Sequence, residues 1–259
     1  MGPDELRLDL VATLGGGAVT GLAISPIFVR DGTCFGATMA GLFRSEDVGE
    51  RWNRVGDPLA ARPPAALATS PAYARDGTLL VADLEAGVYR VVGGHWTISD
   101  LAGYGVQVAA LAATATGLFR SRNGGRAWRE STPLGDGTPV LCLALSPAFE
   151  SDGIVLAGTD SAGLSRSADR RATWHPCDGF PGDACVDGVA CSPAFAADAG
   201  AVAIAGSDVY VSYPGGGRWS PDAHVPDPLC LALALTAPAT RLLLIGTTQG
   251  AIYRGPTHV

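Results

Sequence analysis

The stretch Gly41-Leu42-Phe43-Arg44-Ser45-Glu46-Asp47-Val48-Gly49-Glu50-Arg51-Trp52 decides the fold, because its pieces return along the whole chain. Its opening phrase recurs as Gly87-Val88-Tyr89-Arg90, Gly117-Leu118-Phe119-Arg120, Gly163-Leu164-Ser165-Arg166, Asp208-Val209-Tyr210-Val211 and Ala251-Ile252-Tyr253-Arg254. The steps are 46, 30, 46, 45 and 43 residues. Upstream of four copies lies a second phrase: Ser25-Pro26-Ile27-Phe28, Ser70-Pro71-Ala72-Tyr73, Ser146-Pro147-Ala148-Phe149 and Ser192-Pro193-Ala194-Phe195. An aspartate follows each, at 31, 76, 152 or 198, and glycine comes directly after three of them. Asp-Gly steps of this kind predict tight turns between strands.

The closing phrase, Ser-x-Asp-x-Gly-x-x-Trp, is complete in Ser45, Asp47, Gly49 and Trp52. Ser121, Asn123, Gly125 and Trp128 repeat it with Asn for Asp. Ser167, Asp169 and Trp174 keep it with Arg171 where glycine belongs, and Ser212 and Trp219 keep its ends. Around Trp96 only Gly93-Gly94 and the Trp survive. A serine hydroxyl and a carboxylate can pin a hairpin turn through its backbone groups, and glycine takes positive φ without a Cβ clash. All five tryptophans stand at this one repeat position, which marks them as packing residues between sheets.

Each unit reads as four short strands, and no 12-residue window carries a competing helical period. Repeats of 40 to 50 residues with four strands each are the signature of a β-propeller. The pattern also resembles the Asp-box, or bacterial neuraminidase repeat, of sialidases, sortilin-type receptors and photosystem II assembly propellers. That resemblance implies a propeller of the non-catalytic branch. The expectation is one all-β domain over 1–259, with units at about 19–56, 64–100, 104–132, 138–177, 184–221 and 227–254. Two of these are irregular. The third is short and lacks the Ser-Pro phrase, while the last stops at Arg254-Gly255 without an outer strand. At the other end Leu6, Leu8 and Leu10 alternate with Arg7 and Asp9, so a strand over 5–12 is expected to complete the last blade and close the ring. Six four-stranded blades follow, the third shortened; five, with the short unit fused to its neighbour, is the alternative.

Composition narrows the function. The 259 residues hold 18 basic residues, all arginine, against 25 acids, for a formal charge of −7. A binder of nucleic acid by overall charge and any lysine Schiff base are excluded. Glycine (35) and proline (18) are frequent without reaching the level of disorder. The start shows no basic region followed by an apolar core, so a cytoplasmic home is expected. The longest uncharged apolar stretch, about 104–119, is interrupted by glycine, glutamine and threonine, and no membrane span is expected. None of the six cysteines forms a Cys-x-x-Cys pair. Cys142 and Cys230 hold the same place in two similar runs and read as core thiols, while Cys177 and Cys185 flank a loop that a bridge would close.

The search for chemistry turns to the end of the blades opposite the Ser-x-Asp turns, where the enzymes this pattern resembles carry out catalysis. The turns and connections assigned there carry Thr38, Asp83, Glu85, Thr114, Thr159, Asp160, Ser207, Asp208, Thr247, Gln249, His175, Asp178, Asp183, Asp187, Asp222, His224 and Asp227. No catalytic residue and no cofactor is assigned. A sialidase would need three arginines gripping a carboxylate, whereas Arg44, Arg90, Arg120, Arg166 and Arg254 recur at one repeat phase and read as structural. His175 and His224 follow the outer strands of adjacent blades and could meet near Asp178, Asp183 and Asp222, a donor set that suits a divalent metal. No metal site is assigned, because no histidine stands at ligand spacing. The ligand-binding candidates are therefore Asp83, Glu85, Asp160, Asp208, His175 and His224. The expected function is a monomeric, non-catalytic module that recognises a protein, a peptide or a cationic ligand. The alternative is a glycan-binding or sialidase-type enzyme using the same face.

Overall fold

The computed structural model describes residues 7–56, 64–70, 73–83, 88–92, 95–98, 110–114, 117–121, 128–130, 134, 138–170, 172–212, 215–237 and 240–257. Its contacts divide the chain into two compact units, one of residues 1–99 with 225–258 and one of residues 100–224. Among the described residues every sheet is antiparallel, and in all but the last the strands lie in chain order.

The first unit holds three four-stranded sheets. The first sheet consists of Val19–Ile24, Cys34–Thr38, Gly41–Ser45 and Asn53–Arg54, and the second of Pro64–Thr69, Thr78–Asp83, Val88–Val92 and His95–Ile98. The last sheet joins Pro228–Ala237, Thr240–Thr247 and Ala251–Thr257 to the N-terminal strand Asp9–Thr13. That strand pairs Asp9 with Arg254 and Leu10 with Tyr253, so chain ends far apart in sequence share one sheet. Leu6 lies outside the described residues.

The second unit holds two four-stranded sheets and a three-stranded one. The third sheet has Ala110–Thr114, Gly117–Ser121 and Trp128–Glu130. The fourth has Val140–Leu145, Val155–Thr159, Leu164–Ser167 and His175–Pro176, and the fifth Val186–Cys191, Ala201–Ala205, Asp208–Ser212 and Trp219–His224. The expectation of six four-stranded blades is thereby corrected. Among the described residues complete four-stranded blades number five, the alternative count, and the short third unit has a three-stranded sheet of its own. The 30-residue step at this unit goes with the loss of the Ser-Pro phrase from its sequence.

The inner strands are apolar because neighbouring sheets bury both their faces. In the five four-stranded sheets this strand slips register at its second residue, for example between Val19 and Gly21 and between Val140 and Cys142. Such a bulge bends the strand and increases its twist. Sheets then pack so closely that side chains are excluded at set places. A Cβ on Gly158 would lie 2.6 Å from Val186 Cγ1, and one on Gly246 would lie 2.5 Å from Val19 Cγ1. Beside each glycine a cysteine spans to the next sheet: Cys142 Sγ donates to Val186 O and Cys230 Sγ to Val19 O, both at 3.3 Å.

The Ser-Pro phrases do not form the tight turns expected of Asp-Gly steps. Each makes a single helical turn: Phe28–Asp31, Tyr73–Asp76, Phe149–Asp152 or Phe195–Asp198. Serine closes the loop by donating to the aspartate six residues on, in Ser25–Asp31 (2.7 Å), Ser70–Asp76 (2.8 Å), Ser146–Asp152 (2.5 Å) and Ser192–Asp198 (2.7 Å). The other carboxylate oxygen accepts the N–H of Thr33, Thr78, Ile154 or Gly200, at or just before the start of the second strand. The next position is left-handed: Gly32, Gly77, Gly153 and, without glycine's freedom, Ala199 at φ 53°.

The Ser-x-Asp turns stand at the same end. Ser45 Oγ donates to Asp47 (2.8 Å) and accepts the Gly49 N–H (2.9 Å). Asp47 takes the Arg51 N–H at 2.8 Å and its Nε at 2.6 Å. Ser167 donates to Asp169, which accepts from Ala172, Thr173 N and the Thr173 hydroxyl. Trp52 and Trp219 each donate their indole N–H at 2.9 Å to Gly49 O and Gly216 O, three residues back. Trp219 is buried, edge-on to Phe180. Trp174 is half-buried, and its N–H meets no acceptor among the described residues, in the copy where Arg171 replaces glycine. Asn123 and Gly125 lie outside the described residues, as do the side chains of Ser121, Trp96 and Trp128.

All six thiols are free, so the Cys177–Cys185 bridge is not formed. Cys177 Sγ donates instead to Gly216 O and Cys185 Sγ to Asp187.

Three outcomes follow from these contacts. Truncating Trp219 to Ala removes a buried ring and should cost about 3–5 kcal/mol in a denaturant melt. Burial pushes the thiols of Cys34, Cys142, Cys177, Cys191 and Cys230 up to about 12. Maleimide at neutral pH should therefore label Cys185 first and the other five only in denaturant; fast native labelling of all six contradicts this. The Arg51 hydrogen bonds hold the Asp47 carboxyl down at about 2, from its ordinary 3.8. A depressed carboxylate stabilises the fold above its unfolded value and loses that contribution as pH falls toward 2. Asp47→Asn should flatten the fall in Tm between pH 4 and 2.

Candidate functional site

The end of the sheets away from the Ser-x-Asp turns is built from second-to-third strand turns and the connections between sheets. Thr38, Thr159 and Thr247 end their second strands there, but all three are buried. Thr38 Oγ1 donates to Gly15 O at 2.7 Å and Thr159 Oγ1 to Gly163 O at 2.8 Å. Each also accepts a turn N–H, from Ala40 or Ala162, and Thr247 accepts from Gln249 and Ala251. These threonines satisfy turn backbone in the interior.

The acids lie outside them. In the fifth sheet Asp208 and His224 are register partners on the third and fourth strands. His224 Nδ1 stands 3.2 Å from the Asp208 carboxylate, with both side chains more than half exposed. Asp160 follows the second strand of the fourth sheet, where its N–H donates to Pro139 O (3.0 Å) and its side chain faces solvent. Asp83 ends the corresponding strand of the second sheet, in register with Pro64; its side chain and all of Glu85 lie outside what is described.

Sequence reasoning passed over one contact here. Asp187, the bulged residue at the start of the fifth sheet, is half-buried with Cys185 Sγ 3.6 Å from its carboxylate. Burial raises this carboxyl above the ordinary range, although the thiol contact works the other way. The only signal in the sequence was the two-residue spacing of Cys185 and Asp187, because the bulge at Asp187 breaks the ordinary alternation.

The pairing of His175 with His224 is overturned. His175 directly follows Trp174, in register with Arg166, and its Nε2 is 3.5 Å from the Thr173 hydroxyl that contacts Asp169. It belongs to the Ser-x-Asp end, whereas His224 ends a six-residue outer strand five residues after Trp219. The two positions differ by four residues along the outer strand, which separates them by roughly 13 Å along its axis. Asp178 is likewise at the Ser-x-Asp end: its N–H donates to Gly217 O and its carbonyl accepts from Trp219 N. Among the described residues no group of three or more His, Cys, Asp or Glu side chains is placed to hold a metal. Among the described residues no helix is long and apolar enough to cross a membrane.

No family model matches the chain, and no curated protein matches it. Solved structures do match. The gluconolactonase XC5397 from Xanthomonas campestris aligns over 97% of this chain and 89% of its own, at 14% identity and TM-score 0.65. A GH74 xyloglucanase from the same organism aligns over 96% of this chain at 18% identity and TM-score 0.62. The chain spans 53% of that enzyme's length. YCF48 bound to D1 peptide aligns over 98% of this chain and 96% of its own, at 11% identity and TM-score 0.55. At such identities the likeness concerns the backbone alone, and the backbone it establishes is that of an all-β propeller.

Proposed function

We propose that the chain is an Asp-box propeller of the non-catalytic kind, close in use to sortilin-type receptors and photosystem II assembly factors. It binds a protein, a peptide or a cationic ligand at the end opposite the Ser-x-Asp turns. The observation that carries this reading is the exposed carboxylate of Asp208, backed by His224 and accompanied at the same end of the neighbouring sheet by Asp160. Strand ends hold these acids in fixed register, so little order is lost on binding, and with the −7 charge they steer a basic partner. The full-length likeness to YCF48 bound to D1 peptide supports peptide recognition. A second reading, a glycan- or sugar-lactone-handling enzyme using the same end, draws on the likeness to the xyloglucanase and the gluconolactonase.

The test titrates an arginine-rich peptide against the wild type and against a variant with Asp83, Glu85 and Asp160 reversed to Arg. The reversal should weaken binding about tenfold and flatten its salt dependence while Tm stays put. Equal binding by the variant sinks the reading, and turnover of xyloglucan or gluconolactone by the wild type replaces it with the second.

A further inference from the structure

The inner strand of every four-stranded sheet slips register at one residue near its start, at the end away from the Ser-x-Asp turns. The residue left out of the pairing is Thr20 in the first sheet, Ala65 in the second, Leu141 in the fourth, Asp187 in the fifth and Leu229 in the last. Four of the five are uncharged, and Thr20 satisfies its hydroxyl on Pro64 O at 2.5 Å. Only Asp187 brings a carboxylate to this position, so the bulge itself does not demand one.

That carboxylate is unfavourable where it stands. It is half-buried, its hydrogen-bond donor is the Cys185 thiol at 3.6 Å, and its second oxygen accepts nothing among the described residues. The connection from the fourth sheet to the fifth and both inner strands are described throughout, and no arginine or histidine on them pairs with it. The groups that face it are neutral or acidic. They are Cys185 on the connection, Cys142 on the inner strand of the fourth sheet and, beyond Cys185, Asp160 in the turn after that sheet's second strand. A half-buried acid raised above its ordinary range stabilises the fold while protonated and weighs against it once ionised. At neutral pH Asp187 therefore opposes folding where a leucine would not. A charge that the repeat does not need and that no cation of its own surroundings offsets points to a cation supplied from outside. Beside it in the repeat, Leu141 holds the same bulge position of the fourth sheet and is 47% exposed.

We propose that Asp187 anchors the acidic end by binding the guanidinium of an arginine side chain carried by a partner peptide. This deepens the reading of that end as the binding surface and rests on it. A guanidinium suits the place better than an ammonium. It is more weakly hydrated, so it loses less on entering a half-buried setting, and its planar fork can give one N–H to each carboxylate oxygen. The apolar stem of the same side chain can lie along Leu141. Asp208 and Asp160, out in solvent, draw the partner in through screened attraction, whereas Asp187 holds it where water is partly excluded.

The probes are fluorescein-labelled hexa-arginine and hexa-lysine, titrated by anisotropy at low salt. The wild type should bind hexa-arginine about tenfold more tightly than hexa-lysine, and Asp187→Asn should remove most of that preference. Asp187→Leu, which restores the residue of the fourth and last sheets, should act in the same way, and both variants should keep or raise Tm at neutral pH. Between about pH 7 and about pH 5 the wild type should lose affinity for hexa-arginine more steeply than Asp187→Asn, which keeps His224 and so isolates the carboxyl. Unchanged arginine preference in both variants, or the same pH profile in Asp187→Asn as in the wild type, overturns the proposal. So does a lowered Tm in both, which would mark a structural carboxylate. The reversal of Asp83, Glu85 and Asp160 separates this anchor from the broader reading. If that reversal weakens binding and Asp187→Asn does not, the acidic end stands and the anchor falls; if the wild type binds neither peptide, both fall.

Discussion

A serine hydroxyl donating to an aspartate six residues later closes the loop between first and second strands in four sheets, at 2.5–2.8 Å each time. Much of the Ser-x-Asp end depends on that bond. With one carboxylate oxygen held by serine, the other is free to accept an N–H at or just before the start of the second strand. The loop between them can then be nothing longer than one helical turn, which ends in a left-handed residue. The carbonyl of that residue points outward and accepts the N–H of the Ser-x-Asp turn in the first, fourth and fifth sheets. In the first and fourth sheets the turn in its own right is held by a second serine–aspartate pair, and in the fifth Ser212 donates to Arg218 O instead.

The arginines extend this chain of contacts across sheets. Arg166 and Arg254 come from third strands and end on the next sheet's turn, which makes their recurrence at one repeat phase a matter of assembly. Tryptophan anchors the same turn from beneath by donating back to its glycine carbonyl, as Trp52 and Trp219 do. Arg171 breaks the phrase in the fourth sheet, and there the Trp174 N–H has no acceptor among the described residues. Departures from the repeat thus leave identifiable polar groups without their usual partners, and those places differ most in chemistry from the rest.

The other end of the sheets is less regular because no repeated phrase governs it. Buried threonines pin three of its turns, and variable acids sit outside them. The assignment of His175 to this end failed for a definite reason. Sequence reading took the outer strand to begin at tryptophan and placed whatever followed at its far end. In the fourth sheet the outer strand is two residues long, His175–Pro176, and the histidine is still beside the turn. The fifth sheet has a full six-residue outer strand, so His224 does reach the far end and meets Asp208.

The repeat phrases fixed the chain-order pairing of strands within the units, and the leucine alternation near the start pointed to the pairing of the N-terminal strand with the final one, seen over Asp9–Thr13. Each of these rests on local chemistry, in turns and alternation, that a few neighbouring residues specify. The serine and aspartate of each Ser-Pro loop were visible too, but not the helical turn between them, because its geometry follows from the cross-loop bond and from no helical period. Only the tertiary structure decided which arginines reach another sheet, that Cys142 and Cys230 face a neighbouring carbonyl, and that Asp187 is half-buried beside Cys185. Those facts depend on how closely two sheets approach, and that distance is set by glycines such as Gly158 and Gly246 acting on residues more than 25 positions away in the chain.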